Sequence, residues 1–192
     1  MSSSEPDLSL RIAERVREMR AARGWSLEVL AEKSGVSRSM ISLIERAETS
    51  ATAVVLDRIA SALGCPITAF FEGEATPASP HSKREEQSIW RDPESGYVRR
   101  MLSPENFTSP IDLIEVTFPA GARVAYAATP GRELHQQIWI VSGAMEVQVG
   151  DVKYSLSAGD CLATKVGESI IYTNPHVKQA RYIVALISGD RK

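Results

Sequence analysis

From Leu8 to Phe71 the apolar side chains recur every three or four residues: Leu8, Ile12, Val16 and Met19, then Leu27, Leu30 and Ala31, then Ile41 and Ile44, then Leu56, Ile59, Ala60 and Leu63. That spacing is helical and predicts an all-α unit over residues 8–72. Gly24, Gly35 and Gly64 stand where helices end, Ser26, Ser37 and Thr52 where they begin, and Pro66 stops the fourth before one short last turn at Ile67–Phe71. Residues 73–88 carry Pro77, Pro80, small polar residues and a Lys83-Arg84-Glu85-Glu86 cluster, with almost nothing to bury, which reads as a linker. Beyond Ile89 the period becomes two, in stretches 97–102, 111–118, 134–141, 145–149, 152–156, 161–165, 169–173 and 181–187, separated by turns such as Ser142-Gly143 and Gly150-Asp151. Eight strands with no helical pattern between them predict an antiparallel, all-β sandwich or barrel over residues 89–192.

Composition agrees with two folded units: of 192 residues, 43% are hydrophobic and 24% charged, the balance of a globular chain. The net charge of −2 does not mark the whole molecule as a polyanion binder, so any nucleic-acid role has to be local. Between Leu8 and Glu72, nine basic residues stand against eight acidic ones, so affinity for DNA would depend on where the arginines sit and on two copies acting together. No run of 18 apolar residues occurs, and Met1–Asp7 is polar and acidic, so a cytoplasmic protein without a membrane partner is expected. Cys65 and Cys161 form no C-x-x-C pair and read as reduced packing residues.

Two short helices, about 26–34 and 37–46, meet at a tight turn with Gly35 in the position that requires left-handed backbone. Ala31 is small enough for the helices to cross closely, and Val36, Ile41 and Ile44 fill the angle between them. Arg38, Ser39, Ser42, Leu43 and Arg46 are then left facing outward, a polar strip suited to base edges and phosphates. Glu45 is the neighbour of Arg46 that could instead pair with the first helix, and Trp25 reads as packing. The segments "MRAARGWSLEVLAEKSGVSRSMISLIERAE" and "LDRIASALGCPITAFF" resemble the Cro/repressor-type, or XRE-family, DNA-binding domain. The resemblance covers Leu10–Phe71 and implies a five-helix, lambda-repressor-like fold. It further implies that the helix from Ser37 to Arg46 enters the major groove of a double-stranded DNA operator. Arg38, Ser39 and Ser42 would read base edges, with Ser26 on phosphate. Two departures stand out: Leu43, where some members are polar and which can touch only a thymine methyl, and Ala47, where the family usually has glycine.

The segments "TPGRELHQQIWIVSGAMEVQVGDVKYSLSAGD" and "GDCLATKVGESIIYTNP" resemble the cupin domain, a double-stranded β-helix or jelly-roll barrel, often fused to such helix-turn-helix domains. Cupins hold a metal through histidines and a glutamate at fixed spacing. Here Gln136 falls at the glutamate, Thr129 to Arg132 at the first two histidines, and Ile170 at the third. His135 lies one place out of register and does not replace them, so no metal and no other cofactor is expected. A lone His135–Glu133 pair is too little to make an enzyme.

Alternation about Ile170 predicts that Ile170, Tyr172 and Asn174 face inward on one strand, with Gln136, Ile138 and Ile140 on the facing one. Arg99, Arg100, Tyr126 and His135 are placed near the mouth, positioned to pair with a carboxylate. Trp139 should point outward, at a dimer interface. The resulting expectation is a homodimeric, sequence-specific transcriptional regulator whose cupin domain binds a small-molecule effector without metal. Its alternatives are a cupin domain that only holds the dimer together, or a DNA-tethered cupin enzyme.

Overall fold

A computed structural model describes residues 5–71, 79–105, 107, 109–129 and 134–187. The helical part comprises α1 (Glu5–Ala21), α2 (Leu27–Ser34), α3 (Arg38–Glu45) and α4 (Ala53–Leu63). Each helix after α1 starts on a side-chain cap: Ser26, Ser37 and Thr52 accept hydrogen bonds from the backbone N–H groups of Val29, Met40 and Val55. Gly35 and Gly64 close α2 and α4 in the left-handed conformation. Four α-helices occur among the described residues, where five were expected. The fifth is replaced by a single 3-10 turn, Ile67–Phe70. Pro66 opens it, and all four of its residues are buried, so it has no solvent face from which an amphipathic helix could grow.

The β-rich part contains β1 (Ile89–Arg91), β2 (Val98–Met101), β3 (Ile111–Phe118), β4 (Arg123–Tyr126), β5 (Leu134–Ser142), β6 (Ala144–Val149), β7 (Val152–Ser157), β8 (Cys161–Val166), β9 (Ile170–Thr173) and β10 (Ala180–Ile187). All eight expected strands occur. The two additional ones, β1 and β4, are three and four residues long. They form a six-stranded sheet, β1-β2-β3-β10-β5-β8, and a four-stranded sheet, β4-β9-β6-β7, with antiparallel pairing throughout. The β5–β6 turn depends on Gly143. Its φ is +78°, and a Cβ there would stand 2.8 Å from the Gln179 carbonyl oxygen and 2.9 Å from Ala180 Cα.

Inward residues of both sheets, among them Ile114, Phe118, Ile138, Ile140, Val147 and Tyr182, form one buried cluster that continues into Leu30, Ile41, Leu56 and Phe70 of the helical part. The helical part thus packs directly on the β-rich part. Asp92, 2% exposed, accepts a hydrogen bond from the Ala53 N–H at the start of α4 (2.8 Å). Arg11 of α1 donates to Ser88 and Glu105 (3.2 Å each), and Thr68 donates to Asp112 (3.0 Å). An aromatic series, Phe71–Trp90–Tyr97–Phe118–Tyr182–Tyr172, runs from the helical part into the space between the sheets, with neighbouring ring centroids 5.7–6.3 Å apart. Cys65 is a buried packing residue. Cys161, also expected to be one, is exposed because it begins β8 on the outward phase of the strand.

Candidate nucleic-acid interface and ligand chamber

The placement of α3 is set by its apolar side. Ile41 and Ile44 are buried, and Glu45 makes a two-pronged ion pair with Arg20 of α1, at 2.6 and 2.7 Å. This is the structural role anticipated for Glu45, and it leaves Arg46 free of the first helix. Arg38, Ser39 and Arg46 are exposed, while Ser42 and Leu43 are half-buried beside them. Ser26 and Ser37 begin the two helices on this side, both as caps, and the Ser37 hydroxyl lies 3.1 Å from that of Ser39. Both arginines are held by local acids. Arg38 pairs with Glu28, and Arg46 pairs with Glu48 at 2.8 Å while donating to Ser42 at 2.7 Å. The Glu28 carboxyl is held below its ordinary range by its own backbone N–H and the Ser26 hydroxyl, then by Arg38. Glu48 is lowered by its hydrogen bonds from Arg46. Trp25 packs against the core, with the Lys33 ammonium 5.1 Å from its ring centroid.

The second site is a cavity of about 100 Å³ in the β-rich part, closed on one side by Asp57 of α4 and Ile67 of the following turn. Arg99, Tyr126, Gln136, Ile170 and Tyr172 line it, along with Tyr97 and Tyr182, which the sequence reading did not single out. Gln136 donates to Thr164 Oγ1 (3.0 Å) and to the Tyr172 hydroxyl (3.3 Å), and the Tyr97 and Tyr126 hydroxyls are 3.0 Å apart. Burial pushes the phenols of Tyr97, Tyr126, Tyr172 and Tyr182 up from their ordinary value, so all four remain neutral.

His135, Ile138, Asn174 and Arg100, all expected at this site, are placed elsewhere. His135 is exposed and pairs across the sheet with Lys165: with Gln136 facing inward, its neighbour on the strand faces out. Ile138 is wholly buried in the packed core rather than against the cavity. Asn174, 0% exposed, binds the backbone of the turn after β9. Its amide donates to the Phe118 and Lys178 carbonyls (3.3 and 2.9 Å), and its oxygen accepts from the His176 N–H (3.1 Å). The alternation of β2 explains why Arg99 turns inward while Arg100 turns out to Glu115 (3.6 Å).

The donors here do not fit a divalent cation. Gln136 is neutral with its amide engaged, Ile170 is apolar, the Arg99 guanidinium brings a positive charge into the same cavity, and Asp57 and Glu168 in its wall gain no third metal-binding side chain among the described residues. Pro130, Gly131, Arg132 and Glu133, part of the segment aligned with the cupin ligands, lie outside the described residues. Among the described residues no three His, Cys, Asp or Glu side chains come together as a metal site.

The helix-turn-helix family model HTH_3 matches residues 16–70. Over 161 residues the chain is 26% identical to the HTH-type transcriptional regulator SutR of Escherichia coli (strain K12), a match that covers 83% of this chain and 84% of that protein. An HTH_3 family transcriptional regulator from Vibrio cholerae has the same fold, with a TM-score of 0.77 at 22% identity, over 97% of this chain and 100% of that one. A cupin domain of an XRE family regulator from Enterobacter cloacae aligns over 49% of this chain and 98% of its own length, at 15% identity and a TM-score of 0.45. Residues 16–70 are therefore a helix-turn-helix domain of the HTH_3 family, joined to a β-rich part in a chain homologous to SutR.

Proposed function

We propose that the chain is a sequence-specific regulator of transcription that binds a double-stranded DNA operator through residues 8–72. A cupin-like domain, residues 89–192 after a linker at 73–88, binds a small-molecule effector without metal and without catalysis. The observation that carries this reading is the strip of exposed Arg38, Ser39 and Arg46 beside half-buried Ser42, on a short helix fixed from behind by the Arg20–Glu45 pair. Rigid backing of a polar reading face is what base discrimination requires. In the free protein Arg38 and Arg46 rest on Glu28 and Glu48. On DNA, Arg38, Ser39 and Ser42 exchange these neighbours for base edges, Leu43 meets a thymine methyl, and Ser26, Ser37 and Arg46 meet phosphate.

A homodimer in the cytoplasm completes this reading. Its support is the outer face of the six-stranded sheet, where Trp139 (51% exposed), Leu113, Ile111 and Ile187 gather on β3, β10 and β5. A pair of helical domains supplies the second half-site contact that a nearly neutral reader needs. Among the described residues no helix is long and apolar enough to cross a membrane.

A gel-shift series with the full chain tests the reading helix. Arg38→Ala is expected to lower specific affinity by about 1 to 3 kcal/mol and to relax preference at one base pair. Unchanged affinity and preference would remove Arg38 from the reading face.

A further inference from the structure

Arg99 brings a buried positive charge into a chamber whose wall also carries Asp57, Lys165 and Glu168. It is 9% exposed and lines the cavity. Among the described residues no carboxylate lies within ion-pair distance of it. The groups that act on it most strongly are the phenols of Tyr97, Tyr126, Tyr182 and Tyr172. Neutral phenols can accept and donate hydrogen bonds but supply no counter-charge, and a guanidinium does not give up its proton. Burial disfavours its charge, but the tyrosine oxygens outweigh that and hold the guanidinium above its ordinary value, so a fixed positive charge is kept in the chamber. Val116, Val184 and Leu186 give the wall an apolar part, and Asp57, Lys165 and Glu168 line it as well.

We propose that the chamber is a site for a small organic monocarboxylate, its carboxylate on Arg99 and the tyrosine hydroxyls, its apolar body against Val116, Val184 and Leu186, enclosed on the helical side by Asp57 and Ile67. This names the effector class and rests on the reading of the β-rich part as a sensor. A planar, forked guanidinium matches a carboxylate in geometry as well as charge, whereas a neutral amide of the same shape brings no charge to pair with it. An inorganic anion would satisfy the charge but leave the apolar wall unused.

The full chain is titrated with sodium acetate, pyruvate and benzoate at constant ionic strength, and with acetamide and benzamide as neutral counterparts. The readout is tryptophan fluorescence, since Trp90 lies edge-on to Tyr97, a residue of the cavity wall. At least one carboxylate is expected to give a saturable change that its amide does not. Arg99→Gln is expected to weaken that binding at least about tenfold, the effect of removing a charge-assisted pair. Three results would each overturn the proposal: no saturable response to any of the three acids, an amide as effective as its acid, or undiminished binding by Arg99→Gln. If Arg99→Gln fails to fold, Tyr126→Phe decides instead, by a roughly fivefold loss for the missing hydroxyl or by none. DNA binding by the same preparation separates the two levels. If it is intact while the acids fail, only the anion site is lost; if it is absent, the regulator reading fails.

Discussion

Ala47 shows how a single residue can depart from what its position demands. It follows the recognition helix with φ +54°, and its N–H bonds the Ile44 carbonyl at 2.9 Å. Left-handed backbone at a residue with a Cβ is disfavoured by about 1 to 2 kcal/mol. Ala47→Gly relieves that strain but frees the unfolded chain, so a net gain of about 1 kcal/mol is expected, seen as a rise of roughly 2 to 4 °C in the thermal midpoint. No gain, or a loss, would mean that the Ala47 methyl is held by packing that outweighs its backbone strain. At this scale the sequence was informative wherever one residue type has one local job. Ser26, Ser37 and Thr52 are caps for reasons of hydroxyl geometry. It was uninformative where direction depends on a distant partner. Arg99 and Arg100 are adjacent and chemically identical, and only the register of β2 on β3, Arg99 opposite Val116 and Arg100 opposite Glu115, decides which is buried. His135 shows the same rule from the other side, because once Gln136 faces the cavity its neighbour cannot.

Among the elements, α4 carries the connection between the two parts. Its first N–H is held by the Asp92 carboxylate from the β-rich part, which also accepts from the Ser95 N–H at 2.8 Å. An anion at a helix N-terminus is favoured by the unpaired N–H groups and the helix dipole together. Asp92→Ala leaves those donors buried without a partner, and a loss of about 2 kcal/mol is expected. Thermal unfolding followed by far-ultraviolet circular dichroism should show a midpoint lower by roughly 4 to 8 °C. A midpoint unchanged within error would show that the apolar contacts alone dock α4. The docking itself was not legible in the sequence, since Asp92 reads as an ordinary turn residue before Pro93. The helical and alternating periods did locate four helices and eight strands, because each repeats over enough residues to register. The final 3-10 turn shows instead through Pro66, and β1 and β4 leave no period to find.

The whole molecule is more continuous than a reader, a linker and a sensor in series. One buried cluster spans both parts, and the wall of the chamber includes Asp57 and Ile67, which follow the recognition helix in the chain. An occupant of the chamber therefore borders the helical part directly, without a long relay. By linkage, whatever an effector does to DNA affinity, DNA must do to effector affinity by the same factor. The sequence separated the parts by their periods but held no sign of this contact, which depends on burial shared across segments more than 40 residues apart, such as Thr68 with Asp112.

The central claim, that this chain reads DNA sequence as a pair of helix-turn-helix domains, is tested most directly by selecting duplexes from a random-sequence pool with the full-length protein. One short motif occurring twice should be enriched, with the two copies about 10 base pairs or a multiple of that apart, centre to centre. A pool that emerges from selection with no enriched motif, while the protein remains folded, would contradict it.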